Sequence, residues 1–228
     1  MTTILNRRAL MGCALLCIGL VPIPEARAQS LEDQLATAPP IVRVEEDWEI
    51  KIGTPDPAAD LPQIVTVFGP TNALFGTHAV FEINHCTLPS FRQGGMQIQL
   101  WWGEFLVGTS SQHAPTELNT PGETIRFTTV TRIQNHRLLL YVKDGRSDTW
   151  EEFGGSGSLY LDVLTARDDL NPYDPENSIR HSRVTFGANR VNQFCRTAIR
   201  FYSSEGLFLD HREVEDVHRL AVTAAPSE

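Results

Sequence analysis

The stretch "VRVEEDWEIKIG", from Val42 to Gly53, decides the fold. Alternate residues from Val42 are Val42, Val44, Glu46, Trp48, Ile50 and Ile52, an apolar set with one Glu in it. The complementary set is Arg43, Glu45, Asp47, Glu49 and Lys51, with three carboxylates in a row. Side chains on a β-strand alternate between its two faces, so this period marks a strand with a dry side and a wet side. Glu46, alone among apolar neighbours, marks a strand start or a bulge.

The same alternation recurs along the chain. "HAVFEINH" (His78 to His85) sets Ala79, Phe81 and Ile83 against Val80, Glu82 and Asn84. "MQIQLWW" (Met96 to Trp102) places Met96, Ile98, Leu100 and Trp102 inward, with Gln97, Gln99 and Trp101 opposite. "TIRFTTVTR" (Thr124 to Arg132) and "LLLYV" (Leu138 to Val142) read as neighbours joined by the turn "IQNH". "KDGRS" (Lys143 to Ser147) reads as a turn centred on Asp144-Gly145, and "SLYLDVL" (Ser158 to Leu164) alternates again. "CRTAIRFY" puts Cys195, Thr197, Ile199 and Phe201 on one side and leads through "SSEG" into "LFLDH", a closing hairpin. No window carries a capped apolar stripe of helical period. These features predict an all-β chain, a two-sheet antiparallel sandwich of about ten to twelve strands.

Residues 1–28 read as an export signal. Arg7 and Arg8 precede the apolar run Ala9 to Ile23, and Ala26-Arg27-Ala28 is a cleavage pattern. The run is shorter than the roughly 20 apolar residues a membrane span needs. "NRRALMG" (Asn6 to Gly12) also resembles a twin-arginine signal, which leaves the export route open. Residues 29–40 read as a linker, mobile or weakly helical, 41–211 as the sandwich, and 212–228 as a loosely attached tail. The expected location is secreted or periplasmic, with no membrane span in the mature chain.

The chain carries a formal charge of −9. Cleavage after Ala28 removes three basic residues and one acidic one, which takes the charge to about −11. Such a surface repels phosphate backbones and argues against nucleic acid as a partner. Cys13 and Cys17 leave with the signal; Cys86 and Cys195 remain, and an even pair in an exported chain suggests one disulfide. Two buried free thiols are the alternative.

Two segments carry a family likeness. "FGANRVNQFCRTAIRFYSSEG" (Phe186 to Gly206) and "SDTWEEFGGSGSLYLDV" (Ser147 to Val163) resemble strands of concanavalin A-like and laminin-G-like jelly-roll domains. That resemblance implies a jelly-roll sandwich with a concave face that binds glycans or other extended ligands. "VEEDWEI" with "GANRV" also resembles a group of uncharacterised secreted bacterial proteins, a likeness that carries no function. Glu45-x-Asp47-x-Glu49 is similar to the E-x-D-x-E strand of lichenase-type β-glucanases. By that resemblance Glu45 is the nucleophile, Glu49 the general acid and Asp47 the orienting carboxylate. A retaining glycosidase needs its catalytic carboxyls about 5–5.5 Å apart. Four residues of strand separate the Cα atoms by roughly 13 Å, so the strand would have to curve. The other reading is a solvated edge strand whose charges discourage pairing.

The favoured binding patch is Gln97, Gln99 and Trp101, with Glu82 and Asn84 on a neighbouring strand. Amides that donate and accept, beside a flat aromatic ring, suit sugar hydroxyls and the apolar face of a pyranose. Trp150 either borders the same groove or plugs the core. "RDDLNPYDPENS" (Arg167 to Ser178) gathers Asp168, Asp169, Asn171, Asp174, Glu176 and Asn177, oxygen donors of the kind calcium takes, though Asp, Asn and Pro are also ordinary turn formers. Apart from calcium no cofactor is expected: the His residues lack zinc-motif spacing, and phosphate- and dinucleotide-binding glycine motifs are missing. Three functions remain open: an exported non-catalytic sandwich that binds glycan or another surface component, a glycoside hydrolase, and a structural or assembly protein.

Overall fold

The structure, a computed structural model, describes residues 30–53, 62–70, 76–84, 95–113, 118, 120, 122–155 and 157–220. The expected export signal, Cys86 and the last eight residues of the expected tail lie outside them.

Among the described residues thirteen strands alternate with very little helix. The strands are β1 (Arg43–Ile52), β2 (Gln63–Phe68), β3 (Thr77–Ile83), β4 (Gly95–Trp102), β5 (Phe105–His113), β6 (Thr124–Gln134) and β7 (Arg137–Ser147). They continue with β8 (Glu151–Phe153), β9 (Tyr160–Leu164), β10 (Arg183–Phe186), β11 (Val191–Ser203), β12 (Gly206–His211) and β13 (Glu215–Arg219). The helices are α1 (Leu31–Ala36), capped by the Ser30 hydroxyl, and α2 (Asn177–His181). One sheet runs β12-β11-β1-β6-β7-β8, with β13 also on β11 and β9 also on β7; the other runs β10-β2-β3-β4-β5. Both are antiparallel, and they stack as a sandwich, as the alternation predicts.

The dry faces meet as expected. Trp48, Ile50 and Ile52 of β1 and Phe127 of β6 pack toward Phe81, Ile83, Ile98 and Leu100 of the smaller sheet, all buried. Phe81 meets Phe127 edge-on with ring centroids 5.0 Å apart, a preferred aromatic geometry across the two layers. β1 is central rather than an edge: it pairs with β11 on one side and β6 on the other. The carboxylate row therefore does not guard an edge. It lies mid-sheet, where flanking strands can supply cations.

Opposite Asp47 and Trp48 the register jumps from Ala198 to Arg196, so Thr197 is an extra residue in β11. This bulge inverts the alternation beyond it. Ile199 and Phe201 stay inward, as expected, but Cys195 pairs with Glu49 on the outer side and Arg196 pairs with Trp48 on the inner side. The expected common face of Cys195, Thr197, Ile199 and Phe201 is thus split. Arg196, fully buried, donates from Nη1 to Glu46 Oε1 at 2.7 Å and to the Pro175 carbonyl at 2.5 Å. Its Nε and Nη2 donate to Glu215 at 2.9 and 2.6 Å. Ser178 of α2 donates to the same Glu46 oxygen at 2.5 Å. Burial raises the Glu46 carboxyl above its usual value against the pull of Arg196. Burial would lower Arg196, but Glu46 and Glu215 outweigh it and hold the guanidinium charged.

Other expectations change for similar local reasons. The tail is not loose at its start: β13 pairs with β11, and Glu215 completes the Arg196 network. "KDGRS" is not a turn, because β7 runs through to Ser147. Asp144 takes a positive φ of 53° inside a bulge opposite β6, a conformation Asp tolerates, and Gly145 lies against Phe153, where a Cβ would fall 2.4 Å from the ring. The β6–β7 turn does occur, with positive φ at Asn135 and His136, the twist a two-residue hairpin favours. Trp102 is 63% exposed rather than inward, since β4 runs out past the core at Gly103. The proposed bridge is not formed at Cys195: its thiol is free and buried, donates to the Glu49 carbonyl at 3.7 Å, and is pushed up to about 11 by burial and then by Glu49.

Glu46→Ala, which leaves Arg196 buried beside a single partly exposed carboxylate, is expected to cost about 3–5 kcal/mol in urea unfolding. The double variant Glu46→Leu/Arg196→Met is expected to recover most of that loss; equal losses for both would mean the pair is not what the inner face depends on. In a Cys86→Ser background, Ellman's reagent should find Cys195 unreactive in the folded protein and fully reactive in guanidinium. Ready reaction in the native state would contradict its burial.

Candidate functional site

The three outward carboxylates of β1 are each held by cations. Glu45 lies 3.0 Å from Lys143 of β7, takes a hydrogen bond from the Tyr202 hydroxyl at 3.1 Å, and is 3.3 Å from Arg200 of β11. Asp47 is gripped by both Arg200 terminal nitrogens at 2.5 and 2.6 Å and accepts from Thr128 Oγ1 at 2.8 Å. Glu49 takes Arg126 at 2.7 Å and Lys51 at 3.0 Å. Burial alone would raise all three, yet Lys143, Arg200, Thr128, Lys51 and Arg126 outweigh it, and each carboxyl sits below its usual value. A glycosidase acid needs the opposite, a carboxyl held protonated near neutral pH. Glu45, Asp47 and Glu49 thus form an ion-paired face with each carboxyl held below its usual value.

The oxygen donors proposed for calcium take part in turn and ion-pair contacts. Asp168 is 3.2 Å from His136, Asp169 accepts from Asn171 N and Arg167, and Asn171 Oδ1 accepts from Ile41 N at 2.7 Å. Asp174 accepts from Glu176 N and Arg180. Among the described residues no group of His, Cys, Asp or Glu is arranged to hold a metal ion. A groove of about 660 Å³ runs between this loop and α1.

The patch expected on β4 does converge. The outer face of the smaller sheet carries a cleft of about 430 Å³. Register puts Val65 beside Glu82 beside Gln97 in one row, Val67 beside Val80 beside Gln99 in the next, and His78 beside Trp101 in the third. The valines form the cleft floor; His78, Glu82, Gln99 and Trp101 rise from it, α2 walls one side with Asn177 and His181, and Arg183 of β10 closes the end. Trp101 Nε1 donates to Gln99 Oε1 at 3.0 Å, Gln99 Nε2 to Gln97 Oε1 at 3.0 Å, and Gln97 Nε2 to Ser111 Oγ at 2.8 Å. This relay fixes the ring before any ligand arrives, which lowers the ordering cost of binding. Burial and then the charge of His181 lower the His78 imidazole below its usual value, which keeps it neutral at neutral pH with one donor and one acceptor.

Two expected members stand elsewhere. Asn84 turns into the left-handed region (φ 55°) at the end of β3, is buried, and donates to the Pro62 carbonyl at 2.6 Å. Trp150 packs partly buried against the core. The sequence reading missed Asn177, His181 and Arg183 as cleft residues. Five-residue α2 has no periodic signal, and Arg183 reaches the cleft only because β10 pairs with β2. His78 was legible, since it shares the parity of Val80 and Glu82.

Comparison with protein-family models, with curated proteins and with solved structures gives no match.

The folded carboxyls lie below their ordinary values of 4.5 for Glu45 and Glu49 and 3.8 for Asp47, so the native state binds fewer protons than the unfolded chain. Their stabilisation is complete above about pH 5 and lost as pH falls toward about 3. The urea midpoint is expected to drop across that interval, with a shallower drop in Asp47→Asn. A midpoint level from neutrality to the lower limit would remove these ion pairs from the stability of the sheet.

Proposed function

We propose that the chain is an exported, non-catalytic β-sandwich that binds a glycan or another extracytoplasmic surface component in the cleft on its smaller sheet. The observation that carries this is the Trp101–Gln99–Gln97–Ser111 relay. It presents a fixed indole beside an amide over an apolar valine floor, the combination that suits a pyranose ring and its hydroxyls. Export is supported by the N-terminal pattern of Arg7, Arg8, an apolar run and Ala26-Arg27-Ala28. Among the described residues no helix is long and apolar enough to cross a membrane. The jelly-roll likeness in the sequence points the same way.

A structural or assembly role is the second reading, favoured by the tip of the β4–β5 hairpin. Trp102 is 63% and Phe105 76% exposed there, with Leu106 and Val107 beside them.

A glycan array probed with the mature protein is expected to give binding that Trp101→Ala weakens by about tenfold, with the β-sheet circular dichroism retained because the ring lies on the outer face of the sheet. Phe105→Ser should leave that binding intact. No binding to any glycan on the array would overturn the reading and leave the hairpin tip as the surface to pursue.

A further inference from the structure

Arg183 is unusual for its surroundings. Arg126, Arg137, Arg180, Arg196, Arg200 and Arg219 all lie within salt-bridge distance of a carboxylate. Arg183, exposed at the mouth of the cleft, lies within salt-bridge distance of no carboxylate among the described residues; its Nη1 makes a 3.4 Å contact to the His181 carbonyl. In a chain with 28 acidic residues against 19 basic ones, a guanidinium without a carboxylate partner at a cleft is a cation left for something else. The neighbouring wall supplies a second, independent observation. Asn177 lines the same cleft, is 5% exposed, and its Nδ2 has no hydrogen-bond partner among the described residues. A buried donor without an acceptor is costly, and a ligand oxygen would relieve it.

Both groups stand at the α2–β10 end. Glu82, the carboxylate of the cleft, shares a row with Arg183 but lies two strands away across Val65, about 10 Å by strand spacing. That spacing of the two backbones leaves room for a sugar ring between them. Trp101 stands a further strand over and two rows up, so the Cα atoms of Arg183 and Trp101 are roughly 20 Å apart. After allowance for both long side chains, the ligand that touches both is more than one sugar long.

We propose that the cleft recognises an acidic saccharide of at least two units. A uronate carboxylate sits at Arg183 and Asn177, and a following sugar lies against Trp101. This rests on the glycan-binding reading and specifies its ligand class. Guanidinium pairs well with a planar carboxylate, and a charge-assisted bond at a cleft mouth discriminates strongly against the neutral ester.

The test is isothermal titration of the full chain with trisaccharides of galacturonate, glucuronate and mannuronate, each as free acid and as methyl ester, with galactotriose as the neutral probe. At least one free acid is expected to bind about tenfold or more tightly than its ester. Arg183→Gln, at an exposed position, should abolish that preference by weakening the acid toward the level of its ester. Asn177→Asp should weaken the acid selectively by placing a like charge beside its carboxylate. Equal binding of acid and ester, with Trp101→Ala weakening both, would overturn the acidic-ligand inference and leave glycan binding standing. A preference that survives Arg183→Gln would overturn the assigned position of the carboxylate. Failure of every probe here and of the whole glycan array would overturn both.

Discussion

The bulge at Thr197 and the Glu46–Arg196 pair it creates set the frame for the rest of the molecule. Two charges out of water at the centre of a sandwich cost several kcal/mol each before their attraction is counted. Such a pair contributes less to net stability than well-packed apolar residues would. What it contributes is registry. A one-residue slip of β11 on β1 would put Arg196 on the outer face and leave Glu46 in the core without a counter-charge. The same guanidinium reaches Pro175, Ser178 and Glu215, so the position of α2 and the docking of β13 are tied to that register as well. α2 in turn holds the smaller sheet, where Ser182 accepts the β2 amide of Val67 at 2.9 Å. The wall of the cleft thus hangs from a salt bridge in the core.

The two outer faces divide the chemistry. On the larger sheet, carboxylates and cations alternate across strands and answer one another, Arg200 to Asp47 and Arg126 to Glu49. That face is internally neutralised and offers a ligand little. On the smaller sheet the mid-strand positions are valines, polar groups stand at the rim, and among the described residues one cation lacks a carboxylate and one buried amide nitrogen lacks a hydrogen-bond partner. Recognition chemistry belongs where the protein's own groups have not already satisfied each other. The aromatic relay along β4 adds rigidity to that asymmetry.

Much of the sandwich was legible in period-two alternation. Ala79, Phe81 and Ile83, or Met96, Ile98 and Leu100, sort to the core because each side chain sits on a regular strand. The errors fall where regularity stops. Thr197 adds a residue and flips Cys195 and Arg196. Asp144-Gly145 has the chemistry of a turn, yet serves as a bulge because Phe153 packs on the glycine. Trp102 alternates correctly but lies beyond the core's edge. The candidate site was half legible: Gln97, Gln99, Trp101 and Glu82 share parity on adjacent strands, which local pattern reveals. Asn177, His181 and Arg183 come from helix α2 and an edge strand more than 70 positions away, and only the tertiary pairing of β10 with β2 brings them in. The carboxylate row misled for the same reason. Its spacing is local, whereas its cations arrive from β6, β7 and β11.

The central placement of β1 carries a kinetic corollary. Glu45 and Arg200 meet across 155 positions of sequence. The first strand of the sandwich has no native neighbour on that flank until nearly the whole polypeptide is available. Topologies with such distant pairings close slowly, because loop entropy is lost before contact is gained. The β11 flank of β1 therefore stays unpaired until β11 is available, while its other flank can already meet β6.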